Sequence, residues 1–169
     1  MHTDSRTDMQ ITFEPIGFVR NEHPQGQKPP TWQGISSRIE IASRWTAALD
    51  GLSEFSHISV LCYLHMMRGE APILQIHPQR NPEMPQVGLF ATRTPLRPNP
   101  ISLTVVQLIE RRENVLHVRN LDMYDGTPVL DVKPYLTRGD CHPDATGPEW
   151  IYRLWAIQDA QRGARPDAS

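Results

Sequence analysis

From Ile11 to Arg20 the chain alternates around Phe13, Ile16 and Phe18, a period of two that predicts a first strand. Asn21 to Gly34 breaks the alternation with proline, glycine and glutamine and holds one large aromatic, Trp32; this is a loop. Ser37 to Ile41 alternates again and predicts a half-buried strand. Ser43 to Leu49 predicts a short helix with Ser43 as N-cap, ended at Asp50-Gly51 by a residue suited to positive φ. Phe55 to His65 is β-branched and apolar and is closed by Arg68-Gly69, so it predicts a central strand buried on both faces. Residues 66 to 100 form a long proline-rich loop, interrupted by a short strand at Val87 to Thr92. Ile101 to Glu110 and Val115 to Leu121 predict a hairpin across Arg111-Arg112-Glu113-Asn114. A last strand, Pro128 to Tyr135, follows the Asp125-Gly126 turn. Pro148 to Arg162 predicts a terminal amphipathic helix, with Trp150, Ile151, Leu154, Trp155 and Gln158 on the face that packs on the strands or on a second subunit. Five to seven strands and one or two helices make a mainly β domain, with residues 1–10 as a disordered tail.

Composition narrows the class. At 169 residues, 38% hydrophobic and 21% charged, the chain suits one soluble domain with its own core. No apolar run approaches the ~18 residues of a membrane span, and the polar first ten residues lack the regions of a signal peptide, so a cytoplasmic protein is expected. Cys62 and Cys141 lie far apart and are read as free thiols, Cys62 as structural. A net charge of −2 argues against binding nucleic acid by bulk electrostatics. Phosphates would need a local patch, for which Arg80, Arg93, Arg97, Arg111, Arg112 and Lys133 are candidates. The prolines crowded between Pro72 and Pro100 are interleaved with Ile73, Leu74, Ile76, Val87, Leu89 and Phe90, which marks a rigid, ordered loop.

The motif search first excludes. The ten glycines never stand closer than eight positions, so neither GxGxxG nor a phosphate-binding P-loop exists. HExxH and GxSxG are absent, and the seven histidines show no close metal-ligand spacing, so no metal is expected. Two segments remain. GLFATRTPLRPNPISL (Gly88 to Leu103) sets Arg93, Arg97 and Asn99 in a frame braced by Pro95, Pro98 and Pro100, either a preorganised site for a polar ligand or a tight turn with solvated arginines. YDGTPVLDVKPY (Tyr124 to Tyr135) opens on a glycine turn that a ligand can approach closely. It puts Asp131, Lys133 and Tyr135 on one face of a strand. They are a proton-handling group, or an ion pair and a capping phenol on the solvent side. His65 ends the apolar run as a binding or a structural residue, and Trp32 either stacks on an adenine or covers the end of the fold.

These segments, with EPIGFVR (Glu14 to Arg20) and LDGLSEFSHI (Leu49 to Ile58), resemble in order and spacing the motifs of the TsaA-like (TrmO) family, from about Ile11 to Tyr135. The resemblance implies a compact β-barrel spanning 11–162 with a tail at 163–169. It implies S-adenosylmethionine as cofactor, a homodimer with the cofactor near the subunit interface, and N6-methylation of threonylcarbamoyladenosine beside a tRNA anticodon. Carried over by position, it puts the cofactor on Pro30, Thr31, Trp32, His65, Met66, Arg93, Leu103, Asp125, Gly126 and Thr127, with Arg97 and Asn99 toward the substrate. For the acceptor's proton the chain offers Asp131, or Tyr135 through water, with Lys133 tuning the ionisation. Two departures stand out: Ser102 where the family has glycine, and little sequence after the terminal helix, where longer bacterial members continue into a domain thought to hold tRNA. Rival readings are a methyltransferase for a small metabolite, a non-catalytic module binding an adenine nucleotide, and a structural β-domain.

Overall fold

A computed structural model describes residues 10–163, so the tails expected at 1–10 and 163–169 lie, but for Gln10 and Gly163, outside the described residues. Among the described residues eight strands are present: β1 (Gly17–Arg20), β2 (Ser36–Ile41), β3 (His57–Tyr63), β4 (Gln75–Ile76), β5 (Val87–Gly88), β6 (Ile101–Arg112), β7 (Val115–Arg119) and β8 (Pro128–Pro134). The chain divides into two compact units, one running to Arg68 and resuming at Pro100–Tyr135, the other formed by Gly69–Asn99 and the residues from Leu136.

The first unit is a closed barrel in the order β1-β2-β7-β6-β3-β8, every pairing antiparallel. Closure removes the exposed strand edges that would otherwise template aggregation. Alternation along each strand fills the interior: Val19 from β1, Ile39 and Ile41 from β2, Ile58, Val60 and Cys62 from β3, Val106 and Leu108 from β6, Leu116 and Val118 from β7, and Val129 from β8. The mainly β barrel expected from the sequence is the observed fold.

Several local expectations change. β3 is buried on one face only, because a single-walled barrel leaves its outward residues partly open. β1 is four residues long with the opposite parity to that expected: Gly17 and Val19 point in, Phe18 points out, and Phe13 lies before the strand and is exposed. Gly17 decides this parity, since a Cβ there would strike the Glu40 carbonyl and lie 2.9 Å from the Ile41 Cα. Ser43–Leu49 is a 3-10 helix preceded by Ala42, without the Ser43 cap, although Gly51 does take φ +80°. The β6–β7 turn tightens to Glu113-Asn114, and a bulge falls between Leu108 and Glu110.

In the second unit the strand expected at Val87 to Thr92 shrinks to β5, paired with β4, because its residues from Leu89 to Ala91 wind into a 3-10 turn. Two helices follow, α1 (Thr137–Asp140) and α2 (Glu149–Gly163). On α2 the buried or half-buried residues are Trp150, Ile151, Leu154, Ile157 and Gln158, whereas Trp155 is exposed. Within this unit α2 meets the proline-rich segment, where Arg153 donates to the Glu83 carbonyl at 2.9 Å.

Cys62 is buried in the barrel, and that burial pushes its thiol up to about 12, from 9.0. Cys141 is exposed. A disulfide reagent at pH 8 is therefore expected to titrate one thiol in the folded protein and two after denaturation. The folded state holds the Cys62 proton where the unfolded chain releases it, so stability is full below pH ~9 and falls above it at about 1.4 kcal/mol per pH unit toward pH 12.

Candidate functional site

One end of the barrel gathers the loop between β1 and β2, the end of β3, and the turn leading into β8. Asn21 is the joint between them. Its side-chain amide donates to Ser37 Oγ (3.1 Å) and to the Met123 carbonyl (2.9 Å), and its Oδ1 accepts from the His23 N–H (2.9 Å). The Asn21 N–H donates to Asp125 Oδ1 (3.1 Å), while the Asp125 N–H returns to the His23 carbonyl (2.8 Å). Gly126 takes φ +76° and donates to the Val19 carbonyl (2.8 Å); Thr127 Oγ1 caps the turn on the Tyr124 carbonyl (2.8 Å). The far side of the loop is closed by Gly34, which donates to Asn120 Oδ1 at 2.7 Å. Loop and turn are thus tied by buried or half-buried polar groups rather than left to fluctuate.

Three rings stand on this frame. Trp32 meets His23 edge-on at 5.5 Å between centroids and Tyr124 at 5.6 Å, both favourable T-shaped contacts. Beside them Gln25 Nε2 bonds to His65 Nε2, and the same amide lies 4.0 Å from where a Gly126 Cβ would stand. With the Gln25 amide donating, neutral His65 carries its proton on Nδ1, which is buried and has no partner among the described residues. A half-buried indole, a side-chain-free turn and an orphaned ring nitrogen suit a flat, polar-edged ligand such as an adenine nucleoside.

Of the residues named from the sequence, the structure brings together Trp32, His65, Asp125, Gly126 and Thr127, with Pro30 and Thr31 on the same loop and Met66 beside His65. Leu103 lies on the outer wall of β6, opposite Leu61 of β3, whose other neighbour is Asp131 of β8. Asp131 stands roughly 13 Å along β8 from Thr127, and Tyr135 about twice as far, at the end where it faces the His57 ring. The structure does not gather Asp131, Lys133 and Tyr135 at the end that holds Trp32. Asp131 and Lys133 pair with each other at 2.7 Å on the outer wall, both well exposed. An exposed pair of this kind is worth no more than about 1 kcal/mol, so Asp131→Asn is expected to leave the melting temperature within a few degrees, as calorimetric scanning would read. Arg93, Arg97 and Asn99 belong to the second unit.

Sequence reasoning missed Asn21, His23 and Gln25. Polar residues in a proline-glycine loop have no periodicity to mark them, and only the pairing of β1 with β8 puts them against the glycine turn. Tyr124 was visible as the first letter of a motif, without a role. Ser102 turns its hydroxyl inward, 3.4 Å from the Cys62 carbonyl and 3.7 Å from Met123 Sδ. The six basic candidates separate. Arg111 is committed to Asp50 (2.8 Å) and to the Thr46 and Glu113 carbonyls, Arg112 to Glu110 (2.9 Å), and Lys133 to Asp131. Among the described residues, Arg80, Arg93 and Arg97 make no ion pair with a carboxylate.

The chain is similar to known proteins over most of its length. A family model, the tRNA-methyltransferase O N-terminal domain, matches residues 19–141. A protein of Methanothermobacter thermautotrophicus described as a probable S-adenosyl-L-methionine-binding protein is 41% identical over 132 residues, which cover 76% of this chain and 93% of that one. The tRNA (adenine(37)-N6)-methyltransferase of Escherichia coli K12 is 34% identical over 146 residues, 79% of this chain and 61% of the enzyme. Among solved structures, a crystal structure of TrmO superposes with a TM-score of 0.67 at 28% identity, covering 95% of this chain and 79% of that one. TrmO from Pseudomonas aeruginosa gives 0.65 at 28% identity, covering 95% and 77%.

Proposed function

The chain belongs to the family of the tRNA-methyltransferase O N-terminal domain, and from that premise we propose that it transfers a methyl group from S-adenosylmethionine to N6 of a tRNA adenine that carries a threonylcarbamoyl group. The observation that carries the reading is the edge-on cluster of His23, Trp32 and Tyr124 beside the Gly126 turn, at the barrel end where the family resemblance puts the cofactor.

When bound, S-adenosylmethionine supplies an electrophilic methyl group, and no metal is needed for its transfer. The chain's part is to hold, orient and dehydrate. Trp32 offers a face to the adenine, the Asp125-Gly126-Thr127 turn lets backbone approach the ribose side, and His65 Nδ1 gives a donor already stripped of water. Pro30, Thr31, Met66 and Leu103 complete the proposed contacts. Arg93 is assigned to the cofactor, and Arg97 and Asn99 to the substrate, as part of the same proposal. The threonylcarbamoylated N6 bears its hydrogen next to a carbonyl, so a weak base suffices. Asp131 is that base in this reading, with Lys133 and Tyr135 in support, and wild-type turnover by Asp131→Asn would remove it. The reading includes a second copy of the chain over the outer wall, where Leu103 and Val105 are 55% and 45% exposed; sedimentation at two concentrations tests it.

Trp32→Ala is expected to weaken S-adenosylmethionine binding about tenfold in titration calorimetry, in line with the 1–3 kcal/mol of a base–aromatic stack. The deciding assay is transfer of labelled methyl to tRNA with and without the threonylcarbamoyl group. Labelling of both RNAs alike would reject the proposed acceptor, and labelling of neither would reject RNA as substrate.

A further inference from the structure

The second unit displays a phenylalanine side chain to solvent. Phe90 is 78% exposed, and Leu74, whose carbonyl accepts from the Leu89 N–H at 2.9 Å, is 76% exposed. This exposure is built rather than loose. Leu89 is buried and anchors a 3-10 turn, which Thr92 closes by bonding both its N–H (3.1 Å) and its Oγ1 (2.8 Å) to the Leu89 carbonyl. Arg97 then lays its guanidinium over the Phe90 ring at 5.6 Å, held there by donating to the Thr92 carbonyl at 2.8 Å. Pro95 and Pro98 leave this segment little freedom to collapse over the ring.

Along the chain on either side of Phe90 the charge has one sign. Between Glu83 and Glu110 the sequence holds no carboxylate, and its two charged residues are Arg93 and Arg97. Neither makes an ion pair among the described residues. A rigid, open aromatic ring backed by a guanidinium, on a stretch of chain without carboxylates, fits an unpaired nucleobase with its phosphate. The base stacks on the ring or the guanidinium plane, and the Arg97 charge meets the backbone. A second copy of this chain is a poorer occupant, because two such patches would bring like charges together.

We infer that Phe90, with Arg97 behind it, is a stacking platform for an unpaired base of an RNA substrate. This rests on the RNA-modifying reading above and gives that reading a substrate contact outside the barrel. The geometry predicts sequence-tolerant binding that weakens with salt, since stacking and phosphate contact carry it.

The test uses the full chain and a short synthetic RNA hairpin with an adenine-rich, unmodified loop. Phe90→Ala is expected to weaken hairpin binding about tenfold by fluorescence anisotropy, and Phe90→Tyr to keep it within about twofold. Phe90→Trp should show its emission quenched as hairpin is added. Affinity for S-adenosylmethionine should stay the same in all three variants. The proposal is overturned if Phe90→Ala binds the hairpin as the unaltered chain does, if the unaltered chain does not bind it, or if Phe90→Ala changes the oligomeric state in sedimentation. Failure of the underlying reading looks different: the unaltered chain would then bind no S-adenosylmethionine.

Discussion

Gly17→Ala is expected to lower the melting temperature by about 10 °C. The added methyl group would overlap the Glu40 carbonyl and press on the Ile41 Cα, both of them backbone of the neighbouring strand, so no side chain can turn aside. Relief requires β1 and β2 to move apart at the point where Gly17 pairs Ile41 and where the Ala42 N–H donates to the Ile16 carbonyl at 2.8 Å. Overpacking of this kind costs about 3 kcal/mol, which at ~3 °C per kcal/mol for a chain of this size gives the stated shift. Thermal unfolding followed by circular dichroism reads it directly. A change of under ~2 °C would mean that β1 is not packed as described.

The second large effect is expected at Asn21. Alanine there removes two donated bonds, to Ser37 Oγ and the Met123 carbonyl, and the acceptor of the His23 N–H. Ser37 is buried, so water restores little of what is lost. Leaving such groups unpaired costs about 2 kcal/mol in stability. The functional loss is separate. Without the Asn21 side chain the loop that carries His23, Gln25 and Trp32 loses its ties to Ser37 and Met123 and keeps only backbone bonds to the Asp125-Gly126 turn, so the ligand must do more of the ordering on binding. Affinity for S-adenosylmethionine is expected to fall about tenfold more than any global unfolding explains, measured by calorimetry well below the melting temperature. If stability falls while affinity stays, Asn21 is a structural joint and nothing more. Asn21→Asp keeps the acceptor but cannot donate, and it sets a carboxylate oxygen against the Met123 carbonyl, so it should rescue neither property.

How far the sequence carried can be judged residue by residue. The residue pattern predicted β2, β6, β7 and β8 to within a few residues; β2 alternates an inward apolar row with an outward polar one, whereas β6 also turns Leu103, Val105 and Ile109 outward. It misread the parity of β1, where Phe18 advertises burial but Gly17 has to face in. It overburied β3, since Leu61 and Tyr63 are apolar yet lie on the outer wall. The glycine turn at Asp125-Gly126 was legible, since Gly126 takes the positive φ expected of it. The strand pattern offered an ion pair as one of two readings of Asp131 and Lys133, and the two do pair at 2.7 Å on the outer wall.

The chain's own order of apolar, glycine and proline positions determined a mainly β fold, its turns, and the family to which the chain belongs. These are local or linear properties, set by side-chain period and by backbone conformations that only certain residues tolerate. What joins Asn21 to Asp125, 104 positions away, or sets Trp32 between His23 and Tyr124, is the closure of β1 onto β8. Which charges are free is decided the same way, through long-range partners such as Asp50 for Arg111. Only the tertiary structure supplies those neighbours, because long-range polar contacts leave no period in the sequence.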